Sequence, residues 1–484
     1  MVRVPATART AVSPARRVAA TVLRRVCDED AYADRALDGE AARAGLDSRE
    51  RAFATALAFG AVQRRRTLDH LIAVLAGRPA ERLDPPARDA LRLGLLQLLW
   101  LDGVAPHAAV DQSVELGKEA GAGAGRLVNA VLRRAAREGR ALVDELGDDT
   151  PQAAALKHSV PDWIAELWWD MLGAAETRAL LVRVNEPAET ALRVNALVAE
   201  PDAVAAELAA RGVAARAAAT VTAQPAEGRT AGAAAPASAL PAEDRTAGAA
   251  ALDGAPPAGP LAALADALVI DGPFDARADP LWEAGALVAQ SRAAQLAARL
   301  LAPEPGMRVL DLCAAPGGKA THLAALMRGD GEVVAVERHH GRADALRRTC
   351  ERLRAQDCVR VDTADAAQPR DDGPFDAVLV DPPCSGLGTL QGRPDRRWRA
   401  SADAIAPLAA LQREVLVAGA AALRPGGRLL YATCTISQRE NEEVVDGFLA
   451  ARPDFTQERA LQLLPHRDGS DGFFYALLRR AEAR

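Results

Sequence analysis

The sequence predicts a multidomain protein with an N-terminal all-α domain, a small α+β subdomain and a C-terminal α/β domain of the Rossmann-like type. Three observations lead to this prediction. Apolar residues recur at helical spacing up to about residue 140. Short strand and helix patterns mix over residues 150–216. From about residue 261, strand-like runs alternate with helical stretches, as in a mostly parallel sheet covered by helices on both faces. A length of 484 residues suits about three domains.

The helical domain is predicted over residues 15–140, after a tail of residues 1–14 that we expect to be disordered. Val18, Val22 and Val26 recur every four residues and mark one buried helix face. In the α+β subdomain, strand-like residues 191–195 and a helical stretch at 201–211 precede a second strand that begins near residue 213.

Residues 217–260 are predicted to be a low-complexity, disordered insert. Ala, Gly, Pro and Thr dominate, and PAEGRTAGAAA is nearly repeated as PAEDRTAGAAA. Such a composition buries too little apolar surface to offset the entropy of ordering. We therefore expect the insert to loop out of the α+β subdomain. The α/β domain follows over residues 261–484, with its core at about 305–484.

Bulk composition predicts a cytoplasmic protein with no membrane span, no metal site and a monomeric state. The net charge is −6, so positive charge for any nucleic-acid partner must be concentrated locally. The six cysteines form neither a CxxC pair nor a zinc-type cluster. In a long chain, such scattered cysteines are typical of a reducing compartment, and we expect any important cysteine to act as a free thiol.

Arginine is the default cation of this chain, since only three of the 59 basic residues are lysines. Two arginine clusters in the helical domain are candidates for phosphate contacts, with solvated helix faces as the competing interpretation. They comprise Arg64, Arg65 and Arg66, and then Arg133, Arg134, Arg137 and Arg140.

A strand, a glycine-rich turn and a helix are predicted at LDLCAAPGGK, residues 310–319. Gly317 and Gly318 allow the backbone to approach a ligand closely. The turn lacks GxGxxG and the phosphate-loop pattern, so a nucleoside without a phosphate fits better. Glu337 ends the next strand, where ribose hydroxyls bind in doubly wound folds. Asp365 is a plausible contact on the adenine side.

Two further strands end in thiols. VDPPCSGLG carries Asp381 and Cys384 into a loop stiffened by Pro and Gly. The strand predicted at YATCT ends in the thiol of Cys434. A lone Cys is usually a small buried hydrophobe. Two thiols at the carboxyl ends of sheet strands, beside the ligand crevice, instead indicate nucleophilic chemistry, because a thiolate is a competent nucleophile.

With these motifs the chain resembles the RsmB/Sun family of bacterial RNA cytosine-C5 methyltransferases over nearly its whole length outside the insert. RPDRRW at 393–398 and DGFFYALL at 471–478 match the same family. The helical region, with GRLVNAVLRR at 125–134, is similar to the NusB-type RNA-binding domain that precedes the catalytic domain in this family. The resemblance implies S-adenosylmethionine (SAM) as cofactor and RNA, expected to be 16S ribosomal RNA, as substrate.

The resemblance also implies a role for each site residue. Cys434 matches the nucleophile that adds to C6 of cytosine, Cys384 the thiol that assists product release, and Asp381 the acid that contacts the base. Lys319 is expected to orient Asp381 or the base. The cofactor-binding set comprises Cys313, Ala314, Ala315, Pro316, Gly317, Gly318, Lys319, Glu337, Asp365 and Asp381.

The sequence departs from the family pattern at two places. Glu337 stands where the family often has Asp, and its longer side chain should still reach a ribose. Residues 287–291 (LVAQS) replace a commoner Gln-Asp pair, which affects a local RNA or cofactor contact.

Three alternatives are weighed against this interpretation. The same chemistry on tRNA is the first, and the NusB-like domain favours ribosomal RNA only by analogy. A DNA cytosine-C5 methyltransferase would use Cys384 as nucleophile, and the presence of Cys434 argues against it. A non-catalytic RNA-binding or antitermination module would have lost catalytic residues that this chain retains.

Overall fold

The computed structural model describes residues 12–218, 259–272 and 274–483. Its N-terminal part is all helical, as predicted. The seven longer helices are α1 (Pro14–Asp28), α2 (Ala33–Ala44), α3 (Ser48–Gln63), α4 (Arg65–Ala76), α5 (Pro85–Leu99), α6 (Pro106–Gly117) and α7 (Ala122–Asp144).

Local sequence sets the ends of these helices. Asp47 accepts a hydrogen bond from the Glu50 backbone N–H at 2.8 Å and so caps the start of α3. Gly45 adopts a left-handed conformation with φ 62° and ends α2. Helix α5 is buried on nearly all sides, and the other helices pack around it to form one hydrophobic core.

In the small subdomain, three helices precede a four-stranded sheet. The helices are α8 (Pro151–His158), α9 (Asp162–Leu172) and α10 (Ala174–Arg183). The sheet contains β1 (Thr190–Val194), β2 (Ala214–Ala217), β3 (Ala267–Asp271) and β4 (Leu287–Ala289), in the antiparallel order β2-β3-β1-β4. Helix α11 (Pro201–Ala210) packs against this sheet.

The predicted boundary at residue 261 is wrong for this subdomain. Strands β3 and β4 were assigned to the C-terminal domain, yet they pair with β1 and complete the small sheet. The apolar runs of these strands cannot reveal their partners from the sequence alone. Strand β2 also includes Ala217, the first residue assigned to the insert. Residues 219–258 of the insert, and residues 1–11 of the expected tail, lie outside the described residues.

The C-terminal domain is built on a seven-stranded sheet. Its strands are β5 (Arg308–Leu312), β6 (Glu332–Val336), β7 (Val359–Asp362), β8 (Phe375–Val380), β9 (Leu423–Thr433), β10 (Phe455–Leu463) and β11 (Phe473–Arg480). The order is β10-β11-β9-β8-β5-β6-β7. The strands β5 to β9 run parallel, as predicted, whereas β11 and β10 add an antiparallel edge.

Helices cover both faces of this sheet, so its central strands are mostly apolar. The short helix α12 (Pro280–Glu283) packs on the small sheet instead. The helices on the seven-stranded sheet are α13 (Arg292–Leu301), α14 (Gly318–Leu326), α15 (His340–Arg352), α17 (Ala402–Ala422) and α18 (Glu442–Ala451). The short helices α16 (Arg396–Arg399) and α19 (Pro465–Asp468) contact the N-terminal helices and the subdomain. Among the described helices, α17 alone is long and apolar enough to span a membrane by length and composition. Its buried side chains, including Val415 and Leu416, pack on the sheet.

Arg397 joins the N-terminal helices, the subdomain and the catalytic domain. It is fully buried and donates to the carbonyl groups of Gln63, Ser159, Val184 and Leu390 and to the Asn185 side chain. Burial lowers the pKa of this guanidinium to about 9. The N-terminal helices, the subdomain and the catalytic domain therefore all contact this buried cation, which is held by neutral acceptors.

The first arginine cluster is not a solvated RNA-binding face. Arg64 stacks over Trp100, with its guanidinium carbon 4.7 Å from the ring centroid, and Arg65 lies 4.3 Å over Trp398. Arg66 donates to the Val160 carbonyl at 2.8 Å. Arg65 and Arg66 therefore pack the helical domain against the rest of the chain, and Arg64 packs within that domain, which their spacing in the sequence could not reveal.

The second cluster also contains arginines that pack within the helical domain. Arg134 and Arg140 donate to the backbone carbonyls of Leu75 and Leu99. Arg133 and Arg137 remain exposed on α7. These two are the members of the predicted clusters best placed to contact phosphates.

Candidate active site

The glycine-rich turn follows β5 and leads into α14. Cys313 adopts a left-handed conformation with φ 67°, and the Ala314 N–H donates to the Val336 carbonyl at 2.9 Å. Gly317 has φ 107°, and a Cβ there would lie 2.5 Å from the Leu346 side chain. Glycine is therefore required at this bend.

The acids predicted to bind the ribose and adenine lie on the same edge of the sheet. Glu337 is buried, and one carboxylate oxygen accepts from the His339 N–H at 2.8 Å. The other oxygen faces Arg342 at 3.3 Å. Arg342 also donates to the Ala315 carbonyl at 3.1 Å, so it ties the turn to Glu337, a role that sequence reasoning missed. Asp365 is exposed beyond β7 and caps the Ala367 N–H.

Lys319 and Asp381 form an ion pair at the junction of the cofactor turn and the β8 loop. Lys319 Nζ lies 2.6 Å from Asp381 Oδ2 and 5.3 Å from the Phe473 ring centroid. Burial on its own lowers the pKa of the Lys319 ammonium, but the attraction of Asp381 outweighs it and the pKa is raised. Lys319 is therefore a fixed positive charge beside the thiols.

The two predicted thiols are in direct contact. Cys384 Sγ lies 3.4 Å from Cys434 Sγ, although 50 residues separate them. The hydrogen bond between the sulfurs lowers the pKa of Cys434, and Lys319 and Arg396 act in the same direction. The same hydrogen bond raises the pKa of Cys384 well above its ordinary value. The arrangement thus favours a thiolate on Cys434 and a thiol on Cys384.

Cys313, the third cysteine at this edge, behaves differently. Burial raises the pKa of its thiol to about 12, and the nearby acids add to the effect. It stays protonated at neutral pH and belongs to the turn rather than to the pair of reactive thiols.

The loops that carry the thiols are pinned by close backbone contacts. The Gly388 N–H donates to the Cys434 carbonyl at 3.1 Å, and the Gly388 carbonyl accepts from the Gly472 N–H at 2.8 Å. A Cβ on Gly388 would lie 1.9 Å from the Gly472 carbonyl oxygen. The motifs VDPPCSGLG, YATCT and DGFFYALL therefore meet at one point, and only glycine fits there.

Asp311 is a further acid of the site that sequence reasoning missed. It is fully buried at the end of β5, and neither carboxylate oxygen has a hydrogen-bond partner in the described structure. Burial, with a contribution from Asp381, raises the pKa of Asp311 well above its usual range. An unpartnered buried carboxyl group is costly without a ligand. Its place in LDLCAAPGGK was the available signal.

The small sheet supports the cofactor turn through Arg193 and Gln290. Arg193 is fully buried and donates to Gln290 Oε1 at 2.8 Å and to Thr321 Oγ1 on α14 at 3.0 Å. Gln290, which belongs to the segment 287–291 that departs from the family pattern, thus lies beside the turn. A Cβ added at Gly318 would lie 3.7 Å from the side-chain amide carbon of Gln290. The adjacent Ser291 caps α13 through the Ala294 N–H.

The site contains no evident metal centre. Among the residues that the structure describes, no group of three His, Cys, Asp or Glu side chains is arranged to hold a metal ion.

Three family models match consecutive parts of the chain. The model described as "16S rRNA methyltransferase RsmB/F" matches residues 298–479. The "NusB family" model matches residues 13–137. The "Methyltr_RsmF/B-like, ferredoxin-like domain" model matches residues 160–223 and corresponds to the small subdomain. The predicted family, the NusB-like domain and the fold class are therefore confirmed.

Full-length relatives agree with these matches. The probable ribosomal RNA small subunit methyltransferase B of Synechocystis sp. is 34% identical over 96% of this chain and 99% of its own length. Ribosomal RNA small subunit methyltransferase B of Thermus thermophilus is 33% identical over 97% and 98%. A crystal structure of PH0851 superposes with a TM-score of 0.74 at 25% identity and covers 98% of this chain and 100% of that one. The chain therefore belongs to the RsmB/F family of 16S rRNA methyltransferases, which use S-adenosylmethionine as the methyl donor.

Proposed function

We propose that this enzyme methylates C5 of a cytosine in small-subunit ribosomal RNA, with Cys434 as the nucleophile and Cys384 as the group that assists release. The observation that carries the proposal is the 3.4 Å contact between two thiols whose pKa values shift in opposite directions. C5 of cytosine is a poor nucleophile until a thiolate adds at C6, so such a site needs a reactive thiolate.

The residues around the glycine-rich turn fit SAM. We assign the buried Glu337 carboxylate to the ribose hydroxyls and the exposed Asp365 carboxylate to the adenine. The buried, unpartnered Asp311 is available to a polar group of the ligand. When bound there, SAM supplies a methyl group on a positively charged sulfur, which an activated C5 takes up.

Cys434 begins the reaction by forming a bond between its sulfur and C6 of the base. The C5–C6 double bond then becomes an enamine with its electron density on C5. For this addition Asp381 must act in its protonated form, because it delivers the proton that N3 gains as the electrons move, and it takes that proton back when the C6–sulfur bond breaks. Lys319 holds Asp381 in place through the 2.6 Å ion pair.

Cys384 acts in the second half of the reaction. Its pKa is raised chiefly by the hydrogen bond to Cys434, then by burial and by the charge on Cys434. Once Cys434 is bonded to the base as a thioether, the first and third of these causes disappear. Cys384 can then release its own proton to water and take the C5 proton. As Asp381 takes back the N3 proton, the C6–sulfur bond breaks, which restores the aromatic base, the Cys384 thiol and the Cys434 thiolate.

The ribosomal RNA assignment rests on the family and on the names of the two relatives. Action on ribosomal RNA would place the enzyme in the cytoplasm. We propose that it acts as a monomer, because one chain carries both thiols, the acid and the cofactor turn.

The direct test is to incubate the protein with labelled SAM and either naked 16S rRNA or total tRNA, and then to map 5-methylcytosine. We expect one modified cytosine in 16S rRNA and none in tRNA. Modification of tRNA alone would overturn the substrate assignment, and a methyl group at any position other than C5 would overturn the chemistry.

A further inference from the structure

The contact between the two thiols depends on neighbouring residues. Cys384 lies in the loop after β8 and Cys434 directly follows β9, so each belongs to a different chain segment. The residue after each cysteine carries a hydroxyl group. Ser385 Oγ and Thr435 Oγ1 lie 2.6 Å apart, and both side chains are buried. The two loops are therefore joined by a hydrogen bond next to the sulfurs.

A buried glutamate, Glu440, accepts hydrogen bonds from both of these residues. Its carboxylate accepts from the Ser385 N–H at 2.8 Å, from Ser385 Oγ at 2.5 Å and from Thr435 Oγ1 at 3.4 Å. Because the single Ser385 hydroxyl proton points to Glu440, the Thr435 hydroxyl proton is directed at Ser385 Oγ at 2.6 Å, and its 3.4 Å contact with Glu440 is the weaker branch of the same shared proton. Glu440 thereby sets the direction of the whole chain of hydrogen bonds.

Glu440 is fully buried, and its hydrogen-bond partners in the described chain are neutral groups. The side-chain amide of Gln412, on α17, adds a further donor at 3.1 Å. A buried carboxylate is tolerated only when such donors replace its hydration. Burial of the Glu440 carboxylate is therefore costly. The donors that offset this cost belong largely to the loops that carry Cys384 and Cys434.

The same network holds the residue before each cysteine. Gln412 also donates to the Pro383 carbonyl at 2.9 Å, immediately before Cys384. Asn441, which follows Glu440, accepts from Thr433 Oγ1 at 2.6 Å and donates to the Thr435 carbonyl at 3.2 Å. Both cysteines are thus held on either side by Glu440 and its neighbours.

We propose that Glu440 is a positioning residue that holds Ser385 and Thr435 together and so keeps the Cys384 and Cys434 sulfurs in contact. The proposal rests on the proposed function of the two thiols. The charge on Glu440 also contributes, after the hydrogen bond and burial, to the raised pKa of Cys384. The other charged groups that act on the thiols are Asp381, Lys319 and Arg396.

The test compares Glu440→Gln with Glu443→Gln, which changes an exposed glutamate three residues later in the first turn of α18 and serves as the matched control. Glu440→Gln keeps the shape of the side chain but removes its charge and one acceptor. We expect kcat to fall about tenfold or more, with less than a twofold change in KM for SAM. Glu440→Asp should restore part of the rate because it restores the charge, and Glu443→Gln should match wild type.

A second readout requires neither RNA nor SAM. The rate of iodoacetamide alkylation is measured across pH for the Cys384 and Cys434 peptides by mass spectrometry. In wild type, Cys434 should react at a lower pH than Cys384, and in Glu440→Gln the two profiles should converge. If Glu440→Gln does not fold, Ser385→Ala removes the hydroxyl link from the other side and should give the same convergence.

Wild-type profiles and a kcat within twofold of wild type, in Glu440→Gln or in a folded Ser385→Ala, would overturn the proposal. Failure of the proposed function is recognised separately. In that case, the wild-type enzyme would produce no 5-methylcytosine, while the alkylation profiles would still report whether Glu440 holds the thiols.

Discussion

Replacement of Lys319 by Met should disable the enzyme without unfolding it. The change removes the ammonium that lies 2.6 Å from Asp381 and leaves a charged carboxylate without its partner. Truncation of one member of a buried, hydrogen-bonded ion pair costs about 2–5 kcal/mol. The side chains retain 14% and 24% exposure, so water can reach Asp381 and we expect the lower part of that range, about 2–3 kcal/mol.

If this loss falls on the transition state, the rate drops roughly 30- to 150-fold. The acidic limb of the pH–rate profile should also move to higher pH, because Lys319 is one of the groups that lower the pKa of Cys434. Less thiolate is then present at a given pH.

The assay is single-turnover methylation with labelled SAM and 16S rRNA from pH 6 to pH 9. Lys118→Met is the matched control, because it breaks a surface ion pair with Glu115 that is worth only about 0–1 kcal/mol. A rate within threefold of wild type for Lys319→Met, with an unshifted acidic limb, would refute this account of Lys319.

Three further predictions follow from packing, charge and burial. Gly388→Ala should lower the free energy of unfolding by about 1–3 kcal/mol in urea titrations, because its Cβ would lie 1.9 Å from a carbonyl oxygen. Gly341→Ala, with open space around its Cβ, should not destabilise, and equal effects would contradict the steric argument. The double change of Arg133 and Arg137 to Ala should weaken 16S rRNA binding, as measured by filter binding. The slope of log affinity against log salt concentration should become shallower by about 0.7 for each phosphate that the variant no longer neutralises. An unchanged slope would show that this face of α7 does not contact the RNA. Burial lowers the pKa of His322 to about 4, so the unfolded chain takes up the proton first and stability should fall by about 1–3 kcal/mol between pH 6.5 and pH 4. In urea titrations at the two pH values, this decrease in the free energy of unfolding should be smaller in His322→Gln. An equal decrease in the variant would show that other groups cause it.

The strand ends of the catalytic domain could be predicted because parallel strands deliver their carboxyl ends to one edge of a sheet. On that ground both thiols are expected beside the ligand crevice, and the structure brings their loops together. The 3.4 Å distance between the Cys384 and Cys434 sulfurs could not be predicted, because no local motif reveals the hydrogen bonds that Ser385 and Gln412 donate to Glu440 beside them.

Long-range pairing explains the remaining differences. Strands β3 and β4 lie beyond the low-complexity insert, and short apolar runs do not identify their partners. Arg64 and Arg65 were candidate RNA contacts because charge clusters on helices usually face solvent. In the folded chain they stack on Trp100 and Trp398 instead, since packing against the aromatic rings outweighs the hydration of these guanidinium groups.

The central claim is that Cys434 attacks the base and Cys384 releases it. The most direct measurement incubates wild type, Cys434→Ala and Cys384→Ala with SAM and labelled 16S rRNA and separates the products on a denaturing gel. We predict that Cys384→Ala accumulates a covalent protein–RNA adduct, whereas Cys434→Ala forms none and is inactive. An adduct in Cys434→Ala and none in Cys384→Ala would contradict the account and reverse the two roles.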